Sequence, residues 1–292
     1  MPRSTMTPLL PRRCAVLLLC GASVCASSCS VLGPHPDDTL MTLAGQALHD
    51  GSAWESSDPT LAAMRQEQAD ELLADLARSC GIYEDGSAPS ACAVDRDELA
   101  RDASDLDPRT SLENLIDAVD DAPEDSRDLL SHLALDFAGA LRAEDPEADS
   151  GEGAPRFGQP GALGSSDREG AGALIEAEWA TIWGLDSAQG FADPSQEEAL
   201  SRSSQCHRDA AAGIRHAFSE SEEKAPEPQP GYQIPAESLP TTSTAAQGYI
   251  ATLESDSQQR WSEAIAQAHN DEWRRWLTTS AATLRDCSAA QD

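Results

Sequence analysis

Two ionisable side chains fall on the apolar faces of two consecutive amphipathic segments, and any chemistry of this chain has to begin with them. Across the first segment Ala171, Ile175, Glu178, Ile182 and Leu185 recur at alternating steps of four and three, which lines them along one stripe of a helix. Glu178 is therefore an inward-facing carboxylate. Across the second, Leu200, Ser204, His207, Ala211, Ile214 and Phe218 do the same. Asp193 is the expected N-cap there, with Pro194 at the first helical position, where a missing N–H costs nothing. His207 is then an inward-facing imidazole. An antiparallel hairpin turning through residues 184–195 brings the middles of both helices to a similar depth.

A buried carboxylate without a partner costs several kcal/mol or takes up a proton. Glu178 therefore needs a cationic or hydrogen-bonding neighbour, and His207, Arg208 and Arg215 are the candidates. Two chemistries are open. One is a satisfied core ion pair that fixes helix register and calls for no cofactor. The other is a metal site between bundle helices, holding iron or manganese on Glu178, His207 and Glu254. Other constellations are missing from the sequence: there is no Gly-x-Ser-x-Gly elbow, no Walker loop and no His-Glu-x-x-His. Lys224 is the only lysine, which leaves lysine chemistry almost no material.

The elements that must position these groups are helical throughout, since no strand alternation occurs. Leu40, Leu43, Ala44 and Leu48 predict a helix ending near Gly51, followed by a loop over residues 52–57. Asp58 as N-cap and Pro59 open a second helix that runs to Cys80. Residues 81–92 are turn-rich, and 95–103 predict a short acidic helix. Thr110 and Glu113 have the spacing of a capping box, opening a helix with Leu115, Ile116 and Val119. Leu130, Leu133, Phe137 and Leu141 line another, which ends near Ala143.

Residues 144–169, rich in Gly, Pro and Ser, predict a linker between a small acidic helical domain at 38–143 and a second domain at 170–287. After the central pair, residues 220–243 contain five prolines and cannot be helical. Extended, that stretch is long enough to run the length of a bundle. Ala246, Tyr249, Ile250, Leu253, Ser257, Trp261 and Ile265 predict a third helix of this domain, and Trp273, Trp276, Leu277, Ser280 and Leu284 a fourth, with a break near Asn270. Trp179, Trp183, Trp261, Trp273 and Trp276 are expected to fill one core. Two helical hairpins joined by a long crossover make an all-α, ferritin-like four-helix bundle, here preceded by a smaller helical region.

Composition gives an address. Residues 1–28 combine Arg3, Arg12 and Arg13 with a short apolar run through Leu19 and small residues before Cys29, as an export signal does, and the run is too short to span a bilayer. Ala26-Ser27-Ser28-Cys29 resembles a bacterial lipobox, which implies cleavage before Cys29 and a lipid on its sulfur. Residues 29–37 would be a tether on the outer face of the cytoplasmic membrane, held by the acyl chain. With the signal removed, 17 basic residues face 51 acidic ones, a net charge of about −34. Such a surface repels nucleic acid and anionic headgroups, so the membrane is contacted through the lipid alone and an envelope protein is the expected further partner.

Four cysteines remain beyond Cys29, an even number suited to disulfides in an exported chain. Of the three possible pairings, Cys80 with Cys92 and Cys206 with Cys287 is favoured. The alternative, zinc, lacks its usual ligand spacing.

The second half also resembles a family of ferritin-like domains of unknown function found in secreted and lipoprotein products of high-GC Gram-positive bacteria. The resemblance rests on Leu174-Ile175-Glu176-Ala177-Glu178-Trp179, on His207-Arg208-Asp209, on Pro230-Gly231-Tyr232-Gln233-Ile234-Pro235 and on Trp261 to Trp276. It implies a four-helix bundle and no particular reaction. Working di-iron bundles draw Glu-x-x-His from two of their helices. No histidine here has Glu three residues before it, and Glu178, His207, Glu254 and Glu272 are what is left of a ligand set. Glu254 is expected beside its helix's apolar stripe, and Glu272 outside the Trp273/Trp276 face.

Overall fold

In a computed structural model, the described residues are 35–144 apart from 82, 84, 86 and 88, 157–219 apart from 162, 224–232 and 239–288. Residues 1–28, expected to be an export signal, and Cys29 lie outside them. Every regular element among them is helical: α1 (Asp38–Trp54), α2 (Pro59–Cys80), α3 (Arg96–Asp102), α4 (Pro108–Asp117), α5 (Arg127–Glu144), α6 (Arg168–Gln189), α7 (Glu197–Ala217), α8 (Ser243–Gln267) and α9 (Asp271–Cys287).

Local chemistry sets most of these ends. Asp37, Asp58, Thr242 and Asn270 each accept a bond from a first-turn backbone N–H of the helix that follows, replacing an acceptor that the helix itself cannot supply. Three ends differ from expectation. The α4 cap is Asp107 rather than Thr110: its carboxylate takes the backbone N–H of Arg109 and Thr110 and the Thr110 hydroxyl at 2.7 Å, with Pro108 at the first helical position. Asp193 caps a single 3₁₀ turn (Pro194–Gln196) that leads into α7. Finally, α1 runs through Gly51 to Trp54, because Trp54 is buried against Phe137 at 6.1 Å between ring centroids.

In the second half α6 and α7 form one hairpin and α8 and α9 another. Each helix of one pair touches a helix of the other: α6 packs on α8, and α7 on α9. Residue contacts give the directions. Glu178 meets Ser257 and Trp261, while Gly184 lies against Leu253 and Tyr249, so α6 and α8 are antiparallel. His207 meets Glu178 and Ser204 meets Asp186, so α6 and α7 are antiparallel too. It follows that α7 and α8 run the same way, and the chain between them must return along the bundle. Pro226 lies against Gly172 near the start of α6, and Tyr232 against Trp183 near its end, so the proline-rich crossover follows α6. This is ferritin-like connectivity.

Trp261, Trp273 and Trp276 are buried together, Trp273 stacked on Trp276 at 5.0 Å and Trp261 tilted against Trp276 at 5.9 Å. Trp179 and Trp183 are only partly buried, and Trp183 packs on the crossover instead of in the core. Two disulfides close as expected, Cys80–Cys92 and Cys206–Cys287, the second tying α7 to the end of α9.

The described residues belong to one compact unit. Helices α1, α2 and α3 pack together, α4 packs on α5, and α5 lies against both α8 and α9. One apolar core runs without a break from Leu40 and Leu72 through Leu133 and Phe137 to Leu277 and Leu284. The stretch expected as a linker has Phe157, Pro160, Leu163 and Asp167 buried, and Phe157 and Leu163 join that core.

Candidate functional site

Three helices deliver one polar cluster to the middle of the bundle. On α6 the stripe carries Glu178 inward; on α7, Leu200, Ser203 and His207 step by three and four; on α8, Ile250, Glu254, Ser257 and Trp261 step by four, three and four. Glu178 and His207 are each 1% exposed and Glu254 3%. The expected position of Glu254 beside the apolar stripe is corrected here. It lies on the stripe, four residues after Ile250, and Leu253 is the residue left to one side.

The cluster is a closed chain of hydrogen bonds. His207 Nδ1 lies 2.7 Å from Glu178 Oε2, and its Nε2 lies 3.3 Å from Glu254 Oε2. The other oxygen of Glu178 accepts from the Trp261 indole N–H at 2.8 Å and from the Ser257 hydroxyl at 3.1 Å. The other oxygen of Glu254 accepts from the Ser203 hydroxyl at 2.5 Å. Both imidazole nitrogens therefore face carboxylate oxygens, and only the doubly protonated ring donates to both. Burial pulls the pKa of His207 down, but attraction and hydrogen bonding from Glu178 and Glu254 outweigh it and lift the value to about 10. Two carboxylates around one imidazolium leave a single net negative charge, spread over four oxygens that all have donors.

Of the proposed partners of Glu178, His207 is the one the fold supplies. Arg208 turns outward to both oxygens of Asp186 at 2.8 Å, and Arg215 lies over the Trp179 ring at 5.8 Å. Glu272 is exposed and lies against Gly161, away from the cluster. The donor set is thus one imidazole and two carboxylates, and a dinuclear iron centre, which draws on four carboxylates and two imidazoles, does not fit it. Among the described residues, no three His, Cys, Asp or Glu side chains are arranged to hold a metal ion. Ser203 and Ser257 escaped the sequence reading as hydrogen-bond donors. Their helical spacing from His207 and Trp261 was the available signal.

A second buried network, in the first half, carried no sequence signal at all. Asp50, wholly buried in α1, accepts from Arg65 Nε at 3.1 Å, from the Ser111 hydroxyl at 2.8 Å and from Gln46 at 2.7 Å. Arg65 also donates to Gln68 at 2.6 Å and covers the Phe137 ring at 4.9 Å. The network pins α1, α2, α4 and α5 together.

No curated protein and no solved structure matches the chain. Residues 171–291, which hold the four-helix bundle, match the model of a family described as Domain of unknown function (DUF4439).

Proposed function

We propose that this chain is a membrane-anchored extracytoplasmic lipoprotein whose helical bundle binds or scaffolds other envelope components and catalyses no reaction. The observation that carries the non-catalytic part is the closed cluster: the place where a ferritin-like bundle would hold its chemistry is taken by an imidazolium between two carboxylates, out of reach of solvent. An imidazole so held is no general base at neutral pH, since releasing its proton breaks two charge-assisted bonds.

The anchoring part rests on the lipobox ending at Cys29 and on a charge that disfavours anionic headgroups. No helix among the described residues is long and apolar enough to cross a membrane. Cys29→Ser tests this part: the protein should leave the membrane fraction and accumulate as uncleaved precursor. Unchanged fractionation refutes the anchor.

One observation favours a second reading, a mononuclear metal site: Glu178, His207 and Glu254 converge from three helices although they lie far apart in sequence. A metal there would have to displace the imidazole proton. Stoichiometric iron or manganese retained by the purified protein after incubation, and lost on Glu178→Ala, would establish that reading and overturn the non-catalytic one.

A further inference from the structure

The family match begins at residue 171, yet the face of the bundle formed by α8 and α9 lies against another part of the same chain. Along that face α9 directs a row of charged side chains at α4 and α5. Arg274 is fully buried and reaches Asp120, just past α4, at 2.5 Å, while also holding Asp271 and the Ala268 carbonyl. Arg275 grips both oxygens of Asp117 at 3.0 and 2.5 Å. Arg285 pairs with Asp136 at 2.5 Å, and Asp286 accepts from Arg142 at 2.7 Å. Beneath this row, Leu130, Leu133, Ala134 and Phe137 from α5 share one core with Trp273, Trp276, Leu277 and Ala281 from α9. A fully desolvated arginine beside an apolar patch, with a row of partly exposed charge pairs along its edge, is how a specific protein interface is built.

From this we infer that residues 38–144 are a built-in partner of the family bundle: they dock non-covalently on its α8–α9 face, the arginine row of α9 sets the register, and the unit that acts is 38–288 rather than the family domain alone. An envelope partner then has to use other faces, because this one is already covered. The inference holds whether or not the chain is lipidated and whether or not the bundle takes a metal. Neither disulfide crosses the interface, since Cys80–Cys92 lies in the docked part and Cys206–Cys287 in the bundle. The two parts can therefore be separated by one cut.

The test uses the whole mature chain with a protease site inserted within residues 145–156 and cleaved after folding. At physiological salt the nicked protein should elute as a single particle and come apart only in denaturant. Arg275→Glu and Asp117→Arg, each made in the nicked protein, should speed separation of the parts by roughly five- to tenfold, a range set by the loss of one half-exposed pair and its replacement by repulsion. Arg275→Glu combined with Asp117→Arg should bring the rate back to within about threefold of the parent, as expected of residues in direct contact. Parts that separate without denaturant overturn the inference. A double variant no tighter than the singles overturns the register role of the arginine row.

Discussion

Replacing His207 with Gln and following stability against pH probes the central cluster directly. The folded protein holds the imidazolium with a pKa of about 10, whereas the unfolded chain holds it near the ordinary 6.5. A pKa raised by folding contributes stability that is complete below the unfolded value and lost as pH climbs through the folded one. Here the window is from about 6.5 to about 10, and the limiting contribution is about 5 kcal/mol. By the same linkage the wild type loses about 2 kcal/mol of it between pH 7 and pH 9. A glutamine side chain at this position has no proton to lose and reaches both carboxylates poorly, so His207→Gln should be less stable by about 3–5 kcal/mol at pH 7, as when one partner of a buried charge cluster is removed. That gap should close by about 2 kcal/mol at pH 9. Urea unfolding followed by far-ultraviolet circular dichroism at constant ionic strength measures it. Tyr249, whose pKa burial raises above the ordinary tyrosine value, titrates above this window and is present in both proteins. A gap independent of pH would refute the doubly protonated ring. So would a nuclear magnetic resonance spectrum in which the His207 ring is neutral at pH 8.

Removing Cys206–Cys287 should cost more than removing Cys80–Cys92, about 4.5 against about 3 kcal/mol by loop-closure entropy, because the sequence separations are 81 and 12 residues. Denaturant midpoints of the paired Cys→Ala variants give the order, and equal losses would contradict it. Gly213→Ala should destabilise by about 1–3 kcal/mol, since its methyl would sit 2.5 Å from the Trp276 ring in a packed core. By contrast Gly51→Ala should cost less, although its methyl would lie 2.4–2.8 Å from the Nε2, Cδ and Cγ atoms of Gln66, because that flexible side chain can swing aside and Ala favours the helix by about 1 kcal/mol. Thermal melts of the two variants decide the matter, and similar losses at both sites would be the failing result.

Much of the bundle was legible because an amphipathic helix writes its buried face into the spacing of its residues. The stripes through Glu178 and His207 placed both side chains inward, and their meeting followed from hairpin geometry alone. Glu254 was harder. Leu253 beside it offers a more apolar choice for the same stripe, and what settles the rotation of α8 is Ser203 and His207 on a different helix. Gly51 looked like a helix stop because glycine so often follows a last turn. Its use here is to let Gln66 approach, and the helix continues until Trp54 has reached Phe137. Asp50, Arg65 and Ser111 gave no warning, since polar residues at such separations announce nothing until the chain is folded around them.

These cases bear on how a sequence so rich in Ala and Leu settles on one arrangement. Small and interchangeable apolar side chains fill a core but distinguish weakly between one helix register and the next. Both halves place an ionic cluster where that ambiguity would be greatest: Asp50 with Arg65 among α1, α2, α4 and α5, and Glu178, His207 and Glu254 among α6, α7 and α8. Sliding any of these helices by a turn would leave a carboxylate or a cation buried without its partner, at a cost of several kcal/mol, comparable to the whole stability of a domain. Arg274 does the same between the halves, where its buried guanidinium has Asp120 to meet in one register only. The polar interior of this protein is thus accounted for by the requirement that a loosely patterned helical chain fold one way, which is why a carboxylate and an imidazole in its core are weak grounds for expecting catalysis.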